Sequence, residues 1–277
     1  MINLLSANFV RLKKDKIFVL GIASMFVIGL LITINQYQDS FKYTDVKTSL
    51  DHIFFGYTLL IGAFCAVFCS LFIGTEYSDS TIRNKLAVGH ARSTIYLSNL
   101  IVSTTAGLLI CLAFIATVSA VGIPLLGWFQ ADLKTILFYL LDSAMLTIAF
   151  TSIFTLISMS NQNKTISAVI CILGFFLLFF LATYINARLT APEFYNGYIF
   201  TDSVGNMASE SMANPDYLRG TARDIYTFFY DFLPTGQAIQ LSNMSAIHLW
   251  QMPLYSLLII TAATMTGILY FRKKDLK

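Results

Sequence analysis

The chain has 277 residues, of which 56% are hydrophobic and 12% charged, so it carries more apolar surface than a soluble domain can hide and belongs in a bilayer. Its net charge of +3 is too small to imply a nucleic-acid partner; the basic residues gather at the ends of apolar runs, where they set orientation. Cys65, Cys69, Cys111 and Cys171 all sit inside those runs, which excludes a disulfide framework or a zinc cluster in the loops.

Crossing about 30 Å of hydrocarbon takes about 20 apolar helical residues, because every backbone polar group must be satisfied within the segment. Six runs qualify, at about 17–34, 53–74, 100–121, 135–159, 166–185 and 247–271. The expected fold is an all-α polytopic membrane protein, a single transmembrane domain over residues 1–277 with six membrane helices.

In chain order, a basic stretch with Arg11, Lys13, Lys14 and Lys16 precedes the first run, and no small-residue cleavage site follows it, so this run reads as a retained anchor. The second connection carries Arg83, Lys85 and Arg92, the fourth Lys164, and the tail Arg272, Lys273, Lys274 and Lys277. The intervening connections are richer in acids. By the positive-inside rule both termini are expected to be cytoplasmic. Trp128, Phe129, Tyr184, Trp250 and Tyr270 fall near span ends and read as belt residues.

Between spans 2 and 3 stands GTEYSDSTIRNKLAVGHARSTIYLSNLI, residues 74–101. A turn between membrane helices needs only a few residues, so this length calls for a cause. From Glu76 to Val88 the segment has good helix formers and no proline; Asp79 stands four before Arg83 for an ion pair, and Ile82 four before Leu86 on an apolar stripe. Gly89 then offers a C-terminal stop. The spacing predicts a short amphipathic helix over about 76–88, followed by an interfacial lead-in to span 3.

Asp142 is the one acid inside a predicted span, about two turns from its outer end, and is the candidate for gating or ion coupling. The outer loop runs from about 186 to 246 without a cysteine. In it, NPDYLRG predicts a helical turn capped by Asn214, with Pro215 first and Gly220 as stop. TARDIYTFFYDFLP predicts a second short helix, capped by Thr221 and ended by Pro234. Its aromatics Tyr226, Phe228, Phe229, Tyr230 and Phe232 read as an extracellular lid packed on the membrane, on a neighbouring protomer or over a pathway exit.

No glycine-rich phosphate loop ending in Gly-Lys-Ser/Thr occurs, so no ATP site is expected in this chain. His52, His90 and His248 lie at or outside span ends, and no hydrolase motif is present, so the chain is not expected to be an enzyme.

The segment around Glu76 resembles the permease subunits of ABC-2-type transporters through Glu76, Tyr77, Thr81, Ile82, Arg83, Gly89, Arg92, Ile95, Tyr96, Leu97 and Ser98. Ser80, Ala91 and Asn99 depart from the pattern, which often has glycine, serine and lysine there. The resemblance extends to the six-span layout, to FLPTGQAI before the last span and to the basic FRKKDLK tail. It implies that the helix over 76–88 is a coupling helix docking on a separate ATP-binding subunit, with Glu76, Tyr77, Asp79, Thr81, Ile82, Arg83, Lys85, Leu86, Gly89 and Arg92 as the coupling residues. It further implies a bacterial cell-membrane location and a complex of two ATP-binding subunits, which hold ATP and Mg, with a second permease protomer, identical or not. The apolar spans suit amphipathic or apolar cargo, such as a peptide, an antimicrobial compound or a lipid. The competing expectation is an ion-coupled secondary carrier using Asp142.

Overall fold

The computed structural model describes residues 1–42, 49–201 and 207–275. The loop residues 202–206 and the last two tail residues, on which parts of the sequence reading fall, lie outside them. Helix α1 (Ile2–Lys14) buries Leu4, Asn8 and Leu12, one per turn on a single face. The Asp15 carboxylate then accepts from the backbone N–H groups of Ile17 and Phe18 at 2.9 and 3.0 Å, starting α2 (Lys16–Lys42) in a new direction. A single turn, α3 (Asp51–Phe54), precedes α4 (Thr58–Ser78). Next come α5 (Thr81–Ala87), α6 (Arg92–Leu126), α7 (Leu133–Ser160) and α8 (Lys164–Leu189), the last capped by Asn163.

Among the described residues, α2, α4, α6, α7, α8 and α11 (Met252–Lys273) are long and apolar enough to cross a membrane. They correspond to the six predicted runs: α2, α6, α7 and α8 are longer than predicted, whereas α4 and α11 begin at Thr58 and Met252, later than the predicted 53 and 247. Span 3 begins eight residues before its predicted start because the lead-in is helical from Arg92. Helix α4 is the central one, with 61% of its most apolar window buried against 22% for α8 and for α11. It packs on α7 and α8, while α7 packs on α11 and α2 on α6. The outer faces of α2, α8 and α11 leave large apolar residues such as Leu20, Phe180 and Leu258 uncovered. Such faces suit lipid or a second subunit.

The loop between spans 5 and 6 departs from the expected helical loop. It holds an antiparallel hairpin, β1 (Phe194–Thr201) with β2 (Met207–Ala213), in register Phe194 opposite Ala213 and Thr201 opposite Met207. The run FYNGYIFT is rich in strand-forming residues, which the helix-oriented reading passed over. The helical turn expected at NPDYLRG is a non-helical turn, in which the Asn214 side-chain Oδ1 accepts from the Asp216 N–H at 2.9 Å.

Helix α9 (Thr221–Phe232) forms where predicted, with Gly220 rather than Thr221 at the cap position. Pro234 ends it and also opens α10 (Pro234–Ser242), all nine residues of which are buried. Chain descent is read from three contacts with α8: Arg223 to the Leu189 carbonyl at 3.2 Å, Tyr230 hydroxyl to Asn186 at 2.9 Å, and Thr235 hydroxyl to the Leu178 carbonyl at 2.8 Å. The α9–α10 segment therefore runs back along α8 into the bundle and plugs it between α4, α7 and α8. Gly236 is required there: a Cβ would sit 2.1 Å from the Tyr230 carbonyl oxygen.

Candidate functional site

The end of the bundle that carries both termini collects the residues singled out between spans 2 and 3. The structure divides them into a buried root and an exposed tip. Helix α4 runs on through Ser78, so Glu76 and Tyr77 belong to a membrane helix and not to the short helix after it. Asp79 closes α4, and Ser80 adopts φ 56°, a left-handed conformation that favours glycine and breaks the expected 76–88 helix in two. Helix α5 is the remaining two turns. With the break between them, Asp79 and Arg83 form no ion pair among the described residues.

Glu76 is the centre of the root, its side chain fully buried. One carboxylate oxygen accepts from Arg11 of α1 and from Lys85 of α5. The other accepts from the Asn99 amide of α6 at 2.9 Å. Asn8 closes the ring: its amide donates to Ser98 Oγ and Asn99 Oδ1, both at 3.0 Å, and its oxygen accepts from Lys85 at 3.1 Å. The Arg11 guanidinium also lies 3.7 Å from the centre of the Phe72 ring. Burial lowers the Lys85 ammonium below its ordinary range; Glu76 opposes that shift and Arg11 adds to it. Four elements are thus tied through one carboxylate that two cations compensate. Asn99, at the position where the resembled pattern often has lysine, is an amide here, and the ammonium arrives from Lys85 instead.

A second tie reaches the tail. The Tyr77 hydroxyl donates to the Met159 carbonyl at 2.7 Å, and Lys274 donates to both the Tyr77 oxygen at 3.2 Å and the Met159 carbonyl at 3.0 Å. Arg92 donates to the Phe271 carbonyl at 3.1 Å and to that of Lys274, a cation placed on the free carbonyls at the end of α11.

The tip faces away from all this. Ile82 is buried and Leu86 packs beside it, the apolar stripe the spacing predicts. Thr81 is half-buried, while Arg83, Asn84, Ala87, Val88 and Gly89 are exposed. Gly89, at φ 92°, ends the helix, with its N–H bonded to the Leu86 carbonyl at 2.9 Å.

Elsewhere, Asp142 is 1% exposed and neither carboxylate oxygen finds a donor among the described residues. Of the lid aromatics, Tyr230 is buried, Tyr226 and Phe232 are half-buried, and Phe228 and Phe229 are exposed. The sequence reading missed Asn8, Arg11 and the polar set around α10. The first two were findable from the one-per-turn spacing Leu4, Asn8, Leu12, which marks a buried face.

Six apolar helices, two of which share a buried polar root at one end, with a two-turn helix exposed beyond it, define a polytopic helical membrane protein. The chain matches the family described as ABC-2 family transporter protein over residues 4–187. It belongs to that family, and so is a membrane component of a transporter. No curated protein matches the chain.

Proposed function

We propose that the chain is the permease subunit of an ABC exporter, driven by a separate ATP-binding subunit that docks on α5. One observation carries the reading: α5 is rooted on its inner side through Ile82 and Lys85 and bare on its outer side at Arg83, Asn84 and Val88. A connection made only to reverse the chain has no use for a charged anchor. A rigid projecting helix can receive a push and deliver it to the three elements that share Glu76.

In this reading both termini and α5 are cytoplasmic, in a bacterial cell membrane. The working complex contains two ATP-binding subunits, which hold ATP and Mg, and a second permease protomer. Asp79, Thr81, Arg83 and Gly89 belong to the docking side; Glu76, Tyr77, Ile82, Lys85, Leu86 and Arg92 transmit from within. The predominantly apolar interior favours an amphipathic or apolar cargo, a peptide, an antimicrobial compound or a lipid. The α9–α10 plug at the opposite end stands where such a pathway would open outward.

The test is reconstitution of the chain with its copurifying ATPase in vesicles. Arg83→Glu is expected to leave insertion intact and to separate ATP hydrolysis from transport; unchanged transport removes Arg83 from this role. The competing carrier reading draws on the buried Asp142 carboxylate. Transport in ATP-free vesicles under a proton gradient, abolished by Asp142→Asn, would establish the carrier and defeat the permease reading.

A further inference from the structure

Asp15 alone separates Lys14, the last residue of α1, from Lys16 at the start of the first membrane span. Helix α1 also lies on α6, where Asn8 meets Ser98 and Asn99 within the first turns of that span. Joined to one span and packed on the start of another, α1 is held at the edge of the hydrocarbon. Beside its buried stripe of Leu4, Asn8 and Leu12 runs a second apolar stripe, Ile2, Leu5 and Phe9, at spacings of three and four. Ile2 is 82% exposed, and Leu5 and Phe9 are half-buried, so the protein leaves this second stripe partly uncovered. A helix with an uncovered apolar stripe and lysines on its polar side lies in the plane of the bilayer interface.

Lys13 follows Phe9 by one turn and ends the second stripe. Lys13, Lys14 and Lys16 are all exposed, and among the described residues none of them pairs with an acid. The local acids are engaged elsewhere: Glu76 serves Arg11 and Lys85, and the Asp15 carboxylate is turned onto the backbone N–H groups of Ile17 and Phe18. Arg11, two residues before Lys13, points the other way, to Glu76 and the Phe72 carbonyl. One rigid helix thus carries free cations toward the interface and a bound cation toward the root.

We infer that Lys13, Lys14 and Lys16 form a contact site for anionic phospholipid headgroups, and that this contact holds Arg11 against Glu76. An acidic protein partner would satisfy the lysines but not an apolar stripe at the hydrocarbon edge, whereas an anionic bilayer meets both at once. The site rests on the geometry of α1 and not on any ATP-binding partner, so its failure would leave the permease reading standing.

Amide exchange of the full chain in nanodiscs of phosphatidylglycerol or of phosphatidylcholine with identical acyl chains tests the inference. Exchange at residues 2–14 should be slower in phosphatidylglycerol, by about fivefold per lysine, and Lys13→Gln, Lys14→Gln and Lys16→Gln together should remove the difference. Helix α5, which Lys85 ties to Glu76, should slow in phosphatidylglycerol along with α1. Lys134→Gln, at the opposite end of the bundle, should change nothing. Should the triple variant not insert, salt decides on the unaltered chain, because exposed charges are screened and the difference should shrink as salt rises. Equal exchange in the two lipids, a difference untouched by the triple replacement or by salt, or protection of α1 that leaves α5 unaffected would each overturn the inference.

Discussion

At the terminal end of the bundle, Glu76 is fully buried and takes two cations and an amide, with only Arg11 reaching solvent. At the far end, Asp231 takes the Gln240 amide at 3.0 Å and His248 at 2.9 Å, and His248 opens onto solvent. Around Asp231 the remaining bonds are neutral: Gln237 donates to the Asp231 carbonyl at 2.8 Å and accepts from the Ser256 hydroxyl at 2.8 Å. The first cluster joins α1, α4, α5 and α6 through one carboxylate and two cations; the second pins a re-entrant helix through one carboxylate, a histidine and a set of amides and hydroxyls. Charge in a dry site fixes one arrangement and penalises every other, whereas neutral bonds can be exchanged at modest cost. The terminal cluster is therefore the more sharply fixed of the two arrangements.

The largest effect expected from this contrast is at Glu76. Glu76→Ala leaves the nearly buried Lys85 and the part-exposed Arg11 without their carboxylate and should destabilise the protein by about 3 kcal/mol, measured as thermal unfolding in detergent. Replacing Arg11, Glu76 and Lys85 together with Met, Leu and Met should recover most of that loss, since the cost lies in unpaired charge. If the triple replacement is no better than the single one, the cluster is not ionic in the sense argued.

Gln237→Leu sharpens the other side of the comparison. It leaves the Ser256 hydroxyl and the Asp231 carbonyl without their partner and should cost less than Glu76→Ala, toward the low end of about 1–3 kcal/mol. A loss as large as that at Glu76 would make the plug as rigid as the root.

A smaller, graded effect is expected at the tail. Burial lowers the Lys274 ammonium from its ordinary 10.5 to about 8. A free tail thus binds a proton that the docked tail resists. Docking should weaken as pH falls from about 10.5 to about 8 and stay level below that, with amide exchange of residues 271–275 as the readout. Exchange that slows as pH falls through this window, after correction for intrinsic rates, would refute it.

Least of all should happen to stability in Arg83→Glu. The residue is exposed and outside the ion cluster, so a change within about 0.5 kcal/mol is expected. A marked loss of stability would place Arg83 in the root rather than at the tip.

Much of the membrane body was legible in the chain because its cause is local: each run has to satisfy its own backbone hydrogen bonds within the width of the hydrocarbon. The Ile82–Leu86 stripe and the Gly89 stop were legible for the same reason, being neighbours within two helical turns. Ser80 was visible as a departure but not as a break, since a serine held at φ 56° is imposed by how α4 and α5 are anchored on either side.

The partners of Glu76 were beyond the sequence. Arg11 lies 65 positions away, and only the packing of α1 on α6 brings it within reach. The burial of PTGQAIQLS was equally hidden, because a polar nonapeptide reads as a surface loop until the surrounding helices supply its hydrogen bonds. By itself the sequence determined that this is a six-span helical membrane protein with a short helix beyond its second span, since hydrophobicity and periodicity act over a few turns. Only the tertiary structure decided which charges meet, where the segment after span 2 bends and which polar helix is drawn inside, because the free energy of a buried polar group depends on donors and acceptors brought from distant parts of the chain.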